Sequence, residues 1–171
     1  MGEAGALDKL VRKAFAMSGQ SVPLGFAVER IAPAVSQLPG GLDERLRSLF
    51  ASVWPSDSFH VGRIELFGPE RIHKEHDDLL PGCLVVRHGF LGIGSDGAGT
   101  IFCYRPADGR VYLIPHEYVS EEAVYARPWT KLEANAENIA AIADESWDSL
   151  AALFEWAFAE LLVIESQGAT E

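Results

Sequence analysis

Cysteine is scarce: the 171 residues hold two, Cys83 and Cys103. Two thiols cannot form a disulfide framework, so the fold must rest on a hydrophobic core, which a single domain of this length can bury. Long apolar runs are missing as well, and nothing in the sequence reads as a bilayer span. The first ten residues lack a basic segment followed by an apolar one, so no secretory signal is expected. Met1-Gly2 begins like an acylation site, but Ala6 stands where that motif needs Ser or Thr. These absences point to a cytoplasmic protein with no membrane partner.

Basic residues are the third shortage. Fourteen Lys and Arg face 25 Asp and Glu, for a net charge of −11. The deficit is uneven. Residues 117–171 carry 12 carboxylates against Arg127 and Lys131 alone, while residues 1–116 carry 13 against 12. A direct nucleic-acid binder needs the opposite sign. Two readings fit an acidic third: a solvated helix face, or a surface that steers a basic protein partner.

Catalytic signatures are missing too. Gly94-Ser-Asp-Gly-Ala-Gly99 looks like a phosphate loop but lacks the Gly-Lys-Ser/Thr ending, and a strand follows where such a loop needs a helix. No serine stands in a Gly-x-Ser-x-Gly frame. His73-Lys-Glu-His76, followed by Asp77-Asp78, is the one ligand-dense cluster; it lacks zincin spacing, and the reading of it as a solvated turn outweighs that of a metal site. Cys83 and Cys103 fall in predicted strands and are expected reduced. Neither has an activating base at readable spacing, although a pairing with His88 or His116 is formally open. No catalytic residue, metal or cofactor is therefore assigned.

What is there is a mixed α and β pattern. Leu7, Leu10, Val11, Ala14 and Phe15 predict a first amphipathic helix of about three turns. A weaker helix runs through Val28, Ile31, Ala32 and Val35, with Pro33 marking a kink or a late start. In the third, Leu42, Leu46, Leu49, Phe50 and Val53 share a face, with Asp43, Arg45 and Arg47 pointing away. Val61, Ile64, Leu66 and Phe67 predict a strand, and Pro69–His76 a short helix with Pro near its first position. Cys83–Val86 and Phe90–Ile93 read as strands. Thr100–Arg105 and Val111–Pro115 read as a hairpin around Pro106-Ala-Asp-Gly109, entered through a glycine corner at Gly97 and Gly99. Asp96 in that corner is expected to make a local turn hydrogen bond. Tyr125 and Trp129 are expected to pack on the sheet. A last helix is predicted over about 145–165. Trp147, Leu150, Ala151, Phe154, Phe158 and Leu161 lie on one side of it, and Leu153, Trp156 and Val163 on the other. Both sides need cover: the sheet on one, and the N-terminal helices or, as runner-up, a second copy in a homodimer on the other.

This order resembles the SUKH superfamily, also called the SMI1/KNR4 family. The resemblance rests on the central run Ile93–His116 and on Ile139–Phe154, with Leu38-Pro39 upstream, and spans residues 26–163. The chain departs from the family pattern at Thr100, where an acidic residue is common, and at Trp54-Pro55-Ser56-Asp57, where Asn-Gly is common, which marks a divergent member. The resemblance implies one α+β domain over 1–171, with 1–25 as an added helix that caps the domain or meets a partner. Its expected form is N-terminal helices, a central antiparallel sheet of five or six strands, and a C-terminal helix on the sheet.

The resemblance also implies a non-catalytic protein-binding module. Many bacterial members look like immunity proteins, which neutralise a cognate toxin, often a nuclease, by occupying it. That implication favours the basic-partner reading of the acidic third, with Glu117, Glu121, Glu122, Glu133, Glu137, Asp144, Glu145 and Asp148 as the candidate contacts. A regulatory scaffold with a non-toxin client is the alternative. A small hydrolase or metal-dependent enzyme built on Cys83/His88 or His73/His76 ranks last.

Overall fold

The computed structural model describes residues 3–19, 21–62 and 64–159. The fold is α+β, with helices at both ends of the described chain around a six-stranded antiparallel sheet. Helix α1 (Glu3–Ser18) is followed by a 3-10 turn and α2 (Ala32–Gln37), whose Pro33 sits in the first turn as a late start requires. Helix α3 (Glu44–Ser52) buries Leu46, Leu49 and Phe50. Its N-cap is Asp43, whose Oδ1 accepts from Leu46 N at 2.8 Å while Oδ2 accepts from the Tyr104 hydroxyl. Asp43 was expected to face away. It turns inward because it satisfies two donors at once.

The sheet runs β1 (Phe59–Val61), β2 (Ile64–Leu66), β3 (Leu91–Ser95), β4 (Thr100–Arg105), β5 (Arg110–Pro115) and β8 (Glu145–Trp147). The expected hairpin is present, with Thr100 opposite Pro115 and Arg105 opposite Arg110. The strand expected around Val61–Phe67 is instead a tight hairpin of β1 and β2. A second hairpin, β6 (Ala123–Ala126) with β7 (Thr130–Glu133), stands outside the main sheet and leads into α6 (Ala136–Ala141).

Strands β3 and β4 are buried almost throughout, so both sheet faces are covered. Phe102 points to one face, where its ring lies 5.5 Å from Trp147 and 6.1 Å from Trp156 of α7 (Leu150–Ala157). Cys103 and its register partner Gly92 point to the other face. There, α4 (Pro69–Asp77) places His76 against Gly92. The other side of α7 carries Phe154, 5.9 Å from the fully buried Trp54. Helix α1 packs on α7, α3 and β1, burying Leu7, Val11, Ala14 and Phe15. The cover expected from the N-terminal helices is therefore in place.

Three expectations about elements are corrected. Cys83–Val86 is not a strand: α5 (Gly82–Val85) and a 3-10 turn occupy it, ended by the left-handed Gly89. Tertiary packing overrides the strand propensity of its valines. Gly82 lies against α4 so closely that a Cβ there would meet Glu75 O at 2.4 Å. The last helix does not begin near residue 145. Ser149 caps it by accepting from Ala152 N at 3.1 Å, and Glu145–Trp147 pairs with Leu113–Val111 as an edge strand. Trp147 joined the helical stripe by spacing alone and reaches Trp156, at 5.1 Å, from the sheet. Leu161 and Val163 lie outside the described residues. Third, Trp129 is 62% exposed and packs against Tyr118, at a tilt, rather than on the sheet. Among the described residues, no helix is long and apolar enough to cross a membrane.

Candidate functional site: an acidic surface around the second hairpin

All eight candidate carboxylates are exposed. Glu117 sits in the 3-10 turn after β5, and Glu121 and Glu122 in the bend before β6. Because β6 and β7 are antiparallel, with Ala123 opposite Glu133, the same end of the hairpin gathers Glu121, Glu122 and Glu133. Glu137 follows in the first turn of α6, held there by Asn135, which caps the helix, and by Asn138, which donates to Glu133 O at 2.9 Å. Glu145 lies on edge strand β8, with Asp144 and Asp148 flanking it.

The eight are not electrostatically equal. Arg127 holds Asp144 at 2.6 Å and Arg110 holds Asp148 at 3.2 Å. The other six have no ion-pair partner among the described residues, so their charge is open to solvent or to a partner. Such surface charges contribute little to stability, and this surface carries little of the fold.

At the opposite end of the hairpin, the Arg127-Pro128-Trp129 turn makes an aromatic platform that the sequence did not reveal. Arg127 lies 5.1 Å over the Tyr118 ring and donates through Nε to the Tyr118 hydroxyl at 3.0 Å. Trp129 packs against the same tyrosine, its ring tilted by 47° with centroids 5.2 Å apart. Its φ of 98° is a left-handed conformation that costs a tryptophan on the order of 1–3 kcal/mol. Between this turn and α6 runs a cleft of about 340 Å³, lined by Tyr118, Tyr125, Arg127, Ile142 and Asp144. A readable signal existed in Arg-Pro-Trp between two short strand-like runs, where a turn lifts its bulky residue into solvent.

The alternative chemistries meet specific geometry. His76 is not in a solvated turn, as expected; it is 1% exposed. Its Nδ1–H donates to Ile72 O at 2.6 Å, and its Nε2 accepts from Gly92 N at 2.8 Å. Both ring nitrogens are thereby committed, leaving no lone pair for a metal or a substrate proton. Burial holds its pKa down at about 4. His73 on the same helix is exposed, and among the described residues no three His, Cys, Asp or Glu converge on a metal position.

Both cysteines are free. Cys83 is half-buried on α5 and Cys103 fully buried on β4. Desolvation raises the pKa of each, opposite to the shift a thiolate nucleophile needs. His116 Nδ1 lies 3.1 Å from Gly99 O in the glycine corner. In the same corner Asp96 accepts from Ala98 N at 2.8 Å, the local turn bond expected of it.

No protein-family model matches this chain, and no curated protein matches it either.

Proposed function

We propose that this chain is a cytoplasmic, non-catalytic protein-binding module of the SUKH (SMI1/KNR4) kind. Its proposed role is that of an immunity protein, which neutralises a basic toxin, a nuclease being the class that fits, by occupying the toxin's own site. One observation carries the reading: six exposed carboxylates with no ion-pair partner among the described residues surround a hairpin whose far end holds out Trp129. A nuclease site is basic because it binds phosphates. A surface of opposite sign speeds its capture and disfavours wrong partners. Trp129 and Tyr118 supply what charge does not, a large apolar contact of the type that dominates binding energy at interfaces. Inhibition by occupancy needs no proton transfer and no cofactor.

The test is a pull-down from the source cell with this protein as bait, at low and high salt. Recovery of one basic protein, lost as salt rises, supports the reading. The triple substitution E121K, E122K and E133K should abolish that recovery while leaving the fold intact. A partner whose recovery ignores salt would move the interface to apolar surface and favour a regulatory scaffold. No partner at either salt would remove the support for a binding module.

A further inference from the structure

We propose that the pocket beside the glycine corner is a receptor for a lysine side chain of the partner, ammonium group inward. This deepens the reading of a basic partner and rests on it for the source of the lysine. The pocket lies between α4 and the β3–β4 corner and encloses about 200 Å³. Glu65, Glu75, Ser95 and the single cation Arg71 line its polar part, and Leu79, Leu80 and Ile101 its apolar part. A lysine has the matching build, a four-carbon stem ending in a compact charge.

Glu75 is the central group. It is 2% exposed, yet it lines a pocket that opens to solvent. Its compensating cation, Arg71, stands at 3.4 Å, longer than the 2.7–2.9 Å of a good charge-assisted bond. Arg71 Nε is itself buried without an acceptor, so this ion pair is poorly made on both sides. Glu65 Oε2 accepts from the Ser95 hydroxyl at 3.1 Å. Two carboxylates against one guanidinium leave one negative charge uncompensated. Burial raises the Glu75 pKa against the opposing pull of Arg71.

An ammonium fits better than a guanidinium. The planar fork of arginine needs both oxygens of one carboxylate. Here the Glu75 carboxylate already meets Arg71 and the Gly82 N–H, and one oxygen of Glu65 is turned to Ser95. The remaining lone pairs come from separate groups, and three rotatable N–H donors meet such a set best. At the rim, Gly97 holds a φ of 80° with open space where a Cβ would stand, so a partner backbone can approach closely there. Leu80, one of the two exposed large hydrophobic residues among those described, stands at the same pocket.

The test needs no partner protein. The ¹⁵N-labelled chain is titrated with Nα-acetyl-lysine amide, Nα-acetyl-norleucine amide and Nα-acetyl-arginine amide. Saturable millimolar shifts at the Gly82, Gly97 and Gly99 amides are expected with the lysine probe, and none with norleucine. E75Q should weaken lysine binding by at least about tenfold, and E44Q at the exposed start of α3, away from both surfaces, should leave it unchanged. Glutamine keeps an acceptor for the Gly82 N–H that Glu75 engages, so E75Q retains the packing of α5. E65Q is the second variant and should weaken binding in the same direction. Equal shifts with norleucine, tighter binding of the arginine probe at these amides, or wild-type binding by both variants would overturn the assignment. So would lysine shifts confined to residues 117–148. A pocket that takes lysine while the pull-down recovers nothing would leave the pocket standing and the inhibitor reading without support.

Discussion

His76 should make this fold acid-labile in a defined window. It bridges two elements, with Nδ1–H on Ile72 O inside α4 and Nε2 on the Gly92 N–H of β3. Gly92 sits where the β3–β4 register shifts, and a Cβ on it would lie 3.4 Å from the imidazole. The ring is therefore fitted to the backbone and must stay neutral to accept the Gly92 hydrogen. Its pKa falls from 6.5 to about 4 on folding. Between those values the unfolded chain binds a proton that the folded chain refuses. Stability is thus complete above about pH 6.5 and declines as pH drops toward 4, by about 3 kcal/mol at 1.36 kcal/mol per unit. Glu75 works in the opposite sense, since its raised pKa relieves a buried charge on acidification. His88, half-buried and also lowered, adds to the decline.

A difference experiment removes those neighbours. Urea unfolding of wild type and H76Q, followed by tryptophan fluorescence from about pH 7 to about pH 4, gives the two stability profiles. Glutamine accepts the Gly92 N–H at every pH, so wild type should lose about 3 kcal/mol relative to H76Q across the window. H76A at neutral pH tests the bond itself. A buried N–H left without an acceptor costs about 1–3 kcal/mol, and the void left by the ring adds on the order of 1 kcal/mol. Parallel profiles for wild type and H76Q would refute the neutral bridge. A cost below about 0.5 kcal/mol for H76A would show that the bridge contributes nothing.

Two other substitutions follow from the same geometry. Asp43→Ala removes both the α3 cap and the acceptor of the Tyr104 hydroxyl; it should cost about 2–3 kcal/mol in urea unfolding, and Tyr104→Phe, which leaves the cap in place, clearly less. Trp129→Gly relieves a positive φ on an exposed residue; stability should hold or rise by up to about 1 kcal/mol while partner recovery in the pull-down falls, and a clear loss of stability would contradict the reading of Trp129 as a surface anchor.

The sequence was most informative where one physical signal dominated. The β4–β5 hairpin, with its β-branched and aromatic strands and Pro-Ala-Asp-Gly turn, appeared with the expected ends. Helices α1 and α3 followed their apolar spacing. It failed where two signals competed. Trp147 fitted a helical stripe, yet Ser149 two residues on was the true N-cap and left it on a strand. Cys83–Val86 had strand residues, but its conformation is set by docking on α4, a long-range contact that no local pattern carries. His76 read as polar because its neighbours Lys74, Asp77 and Asp78 are exposed. One helix face distinguishes it from them, and on so short a helix the face is decided by what packs against it. The acidic surface was legible as composition, and its exposure followed. The platform of Tyr118, Arg127 and Trp129 was not, because it depends on a turn that brings residues of three different types together.

The charge asymmetry becomes a property of the surface through pairing. In residues 1–116, 13 carboxylates stand among 12 Lys and Arg, and five of them pair nearby: Asp8 with Arg12, Glu44 with Arg47, Glu70 with Arg30, Glu75 with Arg71 and Asp108 with Arg105. From residue 117 on, among the described residues, the one answer from within the segment is Arg127 to Asp144, and Arg110 lends a second to Asp148. Local pairs cancel beyond a few ångströms, whereas unpaired charges project about a Debye length, roughly 8 Å at physiological salt. Near the second hairpin, the field that an approaching protein meets is therefore set by the six carboxylates that have no ion-pair partner among the described residues, and not by the total of −11. A cationic partner would be drawn to the second hairpin first, at a rate that falls with salt, and then held by contacts that salt does not screen. Trp129, the apolar anchor of the hairpin, supplies such a contact.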